Sequence, residues 1–315
     1  MHIWRSMESV PAGLGPSVVV IGNFDGVHLG HLQVLDRARA IADTESARLV
    51  VVTFDPHPMA VLRPEHAPRA LTNIDQRSRL LHEAGADDVL VLPFSREIAS
   101  WSPEEFIERV LVETLHSRAV VVGANFRFGA KAAGDVATLT SAGERHGFRV
   151  EGVALEGGPQ VWSSTYVRTC LSEGDVEGAA QALGRPYAVT GVVVRGERRG
   201  HQLGFPTANV PPGGVATPAD GVYAGWLRRL DDADAPATES MPAALSVGTN
   251  PTFAGERDRR VEAYVLDRTD LELYDVLVEI SFVHRIRQMS RFDSVDELVA
   301  AMKDDVAQAH VLLGA

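Results

Sequence analysis

The stretch VVVIGNFDGVHLGH, residues 18–31, decides the fold of the first half of the chain, because an apolar run passes there directly into the start of a helix. Such a strand-to-helix corner offers unpaired backbone N–H groups and the positive end of a helix dipole, which attract phosphate. His28 and His31 are three residues apart, so on a helix they share a face and could donate hydrogen bonds to a polyphosphate. The glycines that would let a nucleotide approach the backbone are Gly22, Gly26 and Gly30. An isolated pair of histidines is equally typical of an ordinary turn, but this context favours a phosphate site.

Outward from this corner, short apolar runs alternate with segments of helical periodicity. The predicted strands are 18–22, 48–54, 87–94, 118–124 and 148–155, and the predicted helices are 30–43, 75–84, 103–115 and 135–146. Ser102, Pro103 and Glu105 mark one helix start as a cap, a first-turn proline and a capping-box partner. The alternation predicts a Rossmann-like α/β domain with a doubly wound parallel sheet and ligands at the carboxyl ends of its strands.

After Arg185 and Pro186 the chain changes to β-rich segments separated by Gly, Pro and Asp. Candidate strands lie at 187–195, 220–229, 241–248, 259–267 and 274–283. They predict a small closed antiparallel β-barrel, because closure removes exposed strand edges. A capping box at Ser294 and Glu297 opens a last helix over 294–313. We therefore predict two domains, residues 1–185 (α/β) and 186–315 (all-β with a C-terminal helix).

Composition and charge disfavour several classes of partner. The chain has 315 residues with 30 Lys plus Arg against 42 Asp plus Glu, and its net charge of −12 argues against nucleic acid. Its single cysteine, Cys170, cannot form an internal disulfide, and we expect it to be buried without chemistry in a cytoplasmic protein. No stretch approaches the roughly 20 apolar residues that span a bilayer. We expect no membrane partner, and a homo-oligomer is compatible with the sequence.

A second phosphate-binding candidate is WSSTYVR, residues 162–168. Ser163 or Ser164 would cap a helix, and hydroxyls, backbone donors and Arg168 would clamp the β and γ phosphates of a nucleotide. A capping serine followed by arginine is also common at ordinary helix starts. This segment indicates a phosphate site mainly because it occurs in the same chain as His28 and His31.

In the second half, RGERRGHQLGFPTANV (195–210) joins a basic, Gly-rich turn to a compact polar group. Thr207 and Asn209 are two residues apart, so on an extended strand they point to the same side, and their oxygens suit Mg2+. The alternative is a Thr/Asn turn that satisfies its own backbone. Glu262 lies in a strand and is either an ordinary solvent-facing glutamate or, if it points into a barrel mouth near these residues, a general base for a primary hydroxyl.

The succession GNFDGVHLGH, TFDPHP (53–58), VVGANFRFG (121–129) and SSTYVR resembles the adenylyltransferase half of bacterial bifunctional riboflavin kinase/FMN adenylyltransferases, the FAD synthetase family. The first and last elements are shared across the nucleotidyltransferase superfamily, and the middle two narrow the resemblance. It implies catalytic roles for His28, His31 and Arg168. It implies ATP-binding roles for Gly22, Asn23, Phe24, Asp25, Gly26, Gly30, Ser163, Ser164 and Thr165. It implies a flavin site at Phe54, Asp55, Pro56, His57, Pro58, Asn125, Phe126 and Phe128, although we expect core packing for at least one of Phe126 and Phe128.

LGFPTAN, DGVYAG, SVGTNPTF, VEAYVLD and the closing helix resemble the riboflavin kinase module of the same family, in the same order. The resemblance implies that Glu262 deprotonates the 5'-hydroxyl of riboflavin and that Thr207 and Asn209 hold Mg2+. The implied nucleotide-binding residues are Gly200, Gly204, Phe205, Pro206, Thr207 and Asn209. Two departures from the family pattern are Asp275 in place of Gly, which must change the turn if a positive φ is needed there, and His201 in place of Arg or Lys.

Taken together, the two halves imply a bifunctional enzyme that needs Mg2+. Riboflavin and ATP would give FMN, and FMN and a second ATP would give FAD and pyrophosphate. Two alternatives remain open, a chain in which only one module works and a non-catalytic sensor of flavin or nucleotide. An intact Glu262 argues against the sensor, because a protein that only binds needs no base.

Overall fold

The computed structural model describes residues 2–154, 162–195, 204–230, 240–249, 259–268 and 270–315. Its contacts divide the chain into two compact units, Met1–Ala70 with Ile74–Trp162, and Leu71–Asn73 with Ser163–Ala315. The second unit therefore includes residues 163–185, which the sequence assigns to the first domain. The boundary near residue 185 stays a prediction about the catalytic modules.

The first unit is built on a six-stranded parallel sheet with the order β1-β4-β3-β2-β5-β6. Its strands are β1 (His2–Trp4), β2 (Ser17–Ile21), β3 (Arg48–Asp55), β4 (Asp88–Pro93), β5 (Ser117–Gly123) and β6 (Arg149–Val153). The five predicted strands are confirmed, and the three-residue edge strand β1 is an addition to them.

Helices cover both faces of this sheet. They are α1 (Leu29–Glu45), α2 (Pro58–Leu62), α3 (Ile74–Glu83), α4 (Pro103–Phe106), which continues as a π-helix over Ile107–Thr114, and α5 (Val136–His146). Single 3-10 turns lie at Met7–Ser9, Pro64–His66, Ile98–Ser100 and Ala130–Ala132. Val18 and Val20 of β2 pack in the cluster that contains α1, whereas Val19 packs in the cluster that contains α5. The predicted doubly wound arrangement is therefore confirmed.

The order of the strands places three loops side by side. Because β3 and β5 flank β2, the direction of sheet growth reverses at β2, and ligands of open α/β sheets bind at such switch points. The residues that follow β2, β3 and β5 are Gly22–His28, Pro56–His57 and Ala124–Gly129. These are the segments in which the sequence predicts nucleotide and flavin contacts.

The second unit begins with two helices and continues as an antiparallel sheet of order β7-β12-β9-β10-β11-β8. The elements are α6 (Ser164–Glu173), α7 (Val176–Leu183), β7 (Tyr187–Val192), β8 (Ala208–Val210), β9 (Gly221–Arg229), β10 (Met241–Thr249), β11 (Arg259–Val265), β12 (Leu277–Gln288) and α8 (Val295–Leu313). Val194, just past β7, donates its N–H to Asn209 O of β8 at 2.8 Å. The two ends of the sheet meet there, as a barrel requires.

Helix α8 covers one face of the sheet. Ala309 packs in a cluster with Ala224 and Leu266. Arg287 of β12 donates two hydrogen bonds of 2.7 Å to the carboxylate of Asp305, which is buried in α8. The hydroxyl of Ser294 accepts from Glu297 N at 3.2 Å and caps the helix as predicted. Within the described residues, no helix combines the length and apolarity that crossing a membrane would take.

The turn before β12 contains the departure from the family pattern at Asp275. This residue has a φ of 62°, in the left-handed region, and its N–H donates to Val193 O at 3.0 Å. Aspartate visits this region more readily than most residues with a Cβ. An aspartate is thus compatible with a positive φ here, and the expected change of the turn is not required.

Candidate functional site

The loop between β2 and α1 has an unusual backbone. Phe24, Gly26 and Val27 have φ values of 48°, 83° and 43°. A positive φ is a genuine outlier for a β-branched residue such as valine and costs about 1–3 kcal/mol. The side chains of Phe24 and Val27 are buried in the core, which offsets this strain. The loop is therefore held in one conformation by packing on the sheet, and Phe24 can reach a nucleotide only through its backbone.

The two histidines lie at the start of α1 with their rings stacked. The ring centroids are 3.6 Å apart with an interplanar angle of 21°. His28 is the N-cap residue and not part of the helix, yet the predicted shared face is confirmed. A Cβ at Gly30 would lie 3.2 Å from the His28 ring, so a larger residue there would crowd the pair.

The tautomer of His31 follows from its contacts. Nδ1 of His31 lies 3.3 Å from the backbone N of His28, which donates to it. In the neutral ring the proton is then on Nε2, which becomes a hydrogen-bond donor. Burial, followed by Coulomb repulsion from His28 and Arg77, holds the pKa of His31 well below its ordinary value of 6.5. The ring is therefore neutral near pH 7 and presents an N–H donor.

This depressed pKa predicts acid sensitivity of the first unit. His31 takes up a proton near pH 6.5 in the unfolded chain and only at lower pH in the folded one. Its stabilising contribution is complete above pH 6.5 and is lost as the pH falls below that value. We expect the free energy of unfolding to fall by up to about 1.4 kcal/mol per pH unit from this group. Denaturant titrations at a series of pH values measure the slope, which His31→Phe should reduce, and an unchanged slope in that variant contradicts the prediction.

Each segment that the resemblance assigns to the flavin contains phenylalanine rings. Phe54, near the end of β3, packs edge to face on Phe94 with centroids 5.7 Å apart, and it is only partly buried. Phe126 stacks on Phe128 at 5.6 Å with an angle of 12° between the rings. Phe128 is buried in the core, as expected for at least one of this pair, whereas Phe126 is partly exposed. Phe54 and Phe126 are thus the rings with surface left to offer a ligand.

The other residues of these segments are more polar and mostly accessible. Asp55, Pro56 and Asn125 are exposed. Nδ1 of His57 accepts from Met59 N at 3.1 Å and so caps α2, which begins at Pro58. The ring of His57 therefore has a structural task, whatever else it contacts.

Sequence reasoning missed Arg77, a buried arginine of α3. Its guanidinium pairs with Asp25 of the β2–α1 loop, Nη2 to Oδ1 3.5 Å, and both side chains are almost fully buried. The sequence does indicate that Arg77 is buried, because it lies three and four residues before Leu80 and Leu81 and so shares the apolar face of the helix with them. A charged residue at such a position needs a buried partner.

Helix α6 starts at the predicted serine pair. The hydroxyl of Ser163 accepts from Tyr166 N at 3.1 Å, so Ser163 is the cap and Ser164 is the first helical residue. Thr165 is exposed in the first turn, and Arg168 is partly buried one turn later. Cys170 is buried, as predicted, and burial raises the pKa of its thiol.

In the barrel, strand register brings the predicted acid and amide together. Glu262 of β11 lies directly opposite Asn209 of β8 on one side and Ser246 of β10 on the other. Directly opposed residues share one face of a sheet. Glu262 is half-buried, and its neighbours Val261 and Ala263 point to the apolar interior. Glu262 therefore lies on the other face, not in the barrel interior.

The Asn209 amide is oriented. Its Nδ2 donates to Thr207 O at 3.3 Å, and Thr207 itself lies one residue before β8. Oδ1 is buried and accepts no hydrogen bond from the described residues. A buried amide oxygen without a donor suits a cation or a ligand N–H. The local Thr/Asn contact considered as the alternative is therefore present, and it leaves Oδ1 of Asn209 available to a ligand.

The remaining predicted residues of this site lie around Asn209 in the chain. Gly204 has a φ of 86°, and Phe205 packs edge to face on Tyr264 with centroids 5.3 Å apart. Pro206 is partly buried. Gly200 and His201 lie outside the described residues. No group of three or more His, Cys, Asp or Glu side chains that could hold a metal occurs in the part of the chain that the structure describes.

Comparison with known proteins gives two family matches, FAD synthetase over residues 11–165 and riboflavin kinase over residues 183–313. A relative from Escherichia coli K12 is 36% identical over 94% of this chain and 93% of its own length. One from Pseudomonas fluorescens is 38% identical over 99% and 98%. Both are named bifunctional riboflavin kinase/FMN adenylyltransferase. A crystal structure described as a macrolide-efflux protein from Streptococcus pneumoniae has a TM-score of 0.84 at 30% identity and covers 98% of both chains.

Proposed function

Because this chain belongs to the bifunctional riboflavin kinase/FMN adenylyltransferase family and carries both of its enzyme modules, we propose which residues perform each reaction. The chain phosphorylates riboflavin to FMN and adenylylates FMN to FAD. We assign the adenylyltransferase to residues 1–185 and the kinase to residues 186–315, an assignment supported by the family matches over 11–165 and 183–313.

The kinase proposal rests on one observation, the register that sets Glu262 opposite Asn209. Glu262 accepts the proton of the riboflavin 5'-hydroxyl, whose oxygen attacks the γ-phosphorus of ATP as the bond to the ADP oxygen breaks. Thr207 and Asn209 hold Mg2+, and the buried Oδ1 of Asn209 supports this role. The ion, when bound, neutralises charge on the phosphates.

The adenylyltransferase needs no protein nucleophile. A phosphate oxygen of FMN attacks the α-phosphorus of ATP, and pyrophosphate leaves with the bridging oxygen. His28 and His31 donate hydrogen bonds to the phosphates as charge builds up, and the N–H on Nε2 of His31 suits this task. Ser163, Ser164, Thr165 and Arg168 bind ATP phosphates, and Phe54 and Phe126 offer flat partners to the flavin ring.

Removing the Asn209 oxygen tests the metal site. We expect Asn209→Ala to raise the Mg2+ concentration for half-maximal FMN formation by about tenfold, the effect of about 1.4 kcal/mol. The Mg2+ dependence of FAD formation from supplied FMN in the same variant is the internal control and should not move. An unchanged Mg2+ requirement for FMN formation would show that Asn209 is not a ligand.

A product assay tests the pair of activities as a whole. The chain is incubated with riboflavin, ATP and Mg2+, and FMN and FAD are separated by chromatography. We expect both products. FMN alone would leave only the kinase working, FAD from supplied FMN alone would leave only the transferase, and no product would support a sensor. A cytoplasmic location without nucleic-acid partners also stays a proposal, supported by the single cysteine and the net charge of −12.

A further inference from the structure

The buried Arg77–Asp25 pair is the feature of the first unit that the two reactions leave unexplained. The side chains of Arg77 and Asp25 are 4% and 2% exposed. Burying two charges costs desolvation energy that their attraction often fails to recover, so such a pair is weak evidence for a gain in stability. A task other than stability is therefore worth seeking.

Arg77 contacts two segments that the proposed function assigns to different substrates. On one side its Nη2 faces Asp25 in the β2–α1 loop, 3.5 Å from Oδ1. On the other side its Nη1 donates to Phe54 O at the end of β3, at 3.2 Å. The first segment carries the proposed ATP contacts and the second carries a proposed flavin contact. A planar guanidinium with several N–H donors can hold both at a fixed separation, which an ammonium cannot.

Thr53 adds a second connection between the same segments. Its hydroxyl, fully buried, donates to Asn23 O at 3.1 Å and lies 3.5 Å from Nη1 of Arg77. The backbone of Gly22 also donates to Val52 O of β3 at 3.1 Å. The β2–α1 loop is thus connected to the end of β3 through Gly22, Asn23 and Asp25. The connection through Asp25 is made by Arg77, which belongs to neither segment.

The strained backbone of the β2–α1 loop needs contacts from outside the loop to hold its conformation. Phe24 and Val27 hold positive φ values on either side of Asp25. Strain of this kind persists only where the surroundings over-determine the conformation. Side-chain packing anchors Phe24 and Val27, and the ion pair with Arg77 anchors the residue between them.

We propose that Arg77 is a positioning residue of the adenylyl-transfer site, whose guanidinium fixes the ATP-binding loop Gly22–His28 relative to the flavin segment Phe54–Pro58. It touches neither substrate. It sets the distance at which the FMN phosphate meets the α-phosphorus of ATP. This inference rests on the proposed assignment of these two segments.

The test uses the full chain with Arg77→Lys, Arg77→Met and the double variant Asp25→Asn/Arg77→Met. A misplacement of about 1 Å can lower a rate by about 10²-fold. We expect Arg77→Met to lower kcat for FAD formation by about 10²-fold, with KM values for ATP and FMN within about threefold of the wild type. The double variant should lower kcat at least as far. Arg77→Lys, which keeps the positive charge but not the planar guanidinium, should show a smaller loss than Arg77→Met. FMN formation in each variant should stay at the wild-type rate.

Matched controls separate positioning from folding. Arg37→Met removes an exposed arginine that pairs with Glu151 in the same unit and should leave FAD formation unchanged. If Arg77 were merely structural, the loss would follow the folded fraction in thermal melts, and the double variant, which leaves no buried carboxylate, would recover wild-type kcat. Either of these results would overturn the proposal, as would wild-type kcat in Arg77→Met.

The assignment of the ATP-binding loop can fail separately. His31→Ala reports on that assignment, because its ring contacts ATP in the proposal and Arg77 does not. Full FAD formation in His31→Ala together with loss in Arg77→Met would reject the role of the histidine and retain the tie between the segments. Full FAD formation in both variants would reject both.

Discussion

Glu262→Gln is expected to lower FMN formation by about 10²–10⁴-fold, the usual contribution of a positioned general base. The amide keeps the size of the side chain and one acceptor oxygen, but it cannot take the proton of a hydroxyl. Since Glu262 is half-buried opposite Asn209 and Ser246, the exchange should leave the packing of β11 unchanged. FAD formation from supplied FMN should continue at the wild-type rate. The measurement is the initial rate of each reaction in the full chain.

A second glutamate provides the control for this prediction. Glu279 lies in β12 of the same sheet, is also half-buried, and accepts a hydrogen bond of 2.6 Å from Arg228. Glu279→Gln should leave both activities near the wild-type level. Equal loss of FMN and FAD formation in Glu262→Gln would mean that the two modules are not separable as proposed. A wild-type rate of FMN formation would mean that another group accepts the proton.

Much of the first unit could be predicted because its strands are continuous apolar runs. Val18 to Ile21 are buried on both faces of the sheet, so no polar residue interrupts the pattern, and the strand is evident from the sequence alone. Helix starts were as clear where a serine side chain caps the backbone, as at Ser102, which accepts from Glu105 N at 3.1 Å.

The short strands β1 and β8 could not be predicted in this way. Each has three residues, and each is defined by the strand it pairs with, β4 and β11 respectively. Helix α7 escaped for another reason. It has only eight residues, several of them small (Gly178, Ala179 and Ala182), and a helix this short depends on burial against the rest of the unit for its stability.

In the candidate sites, too, the features that depend on tertiary structure could not be predicted from the sequence. The spacing of His28 and His31 predicts a shared face, but the stacked rings and the tautomer of His31 depend on the capping geometry at the start of α1. Glu262 could be paired with Asn209 only by the resemblance, because register between strands some 50 residues apart is a tertiary property. Arg77 shows the converse case, in which the signal was present as a charge on an apolar helix face.

His28→Ala is expected to give the reverse pattern to Glu262→Gln. It removes one of the two donors proposed for the developing charge, and loss of one such donor typically costs about 10²–10³-fold in kcat. It also removes the ring that stacks on His31 at 3.6 Å, so the second donor loses part of its support. FAD formation from supplied FMN should fall accordingly, while FMN formation from riboflavin should remain at the wild-type rate.

The control for the histidine is His146→Ala, in the last turn of α5 of the same unit, where the ring faces Glu108 and not the β2–α1 loop. This variant should retain both activities. The loss in His28→Ala should appear in kcat while thermal melts still show a folded first unit, because Leu29 and the rest of α1 keep their packing. If FAD formation survived in His28→Ala, His28 would not be a phosphate donor. If FMN formation fell equally, the two modules would not be separable as proposed.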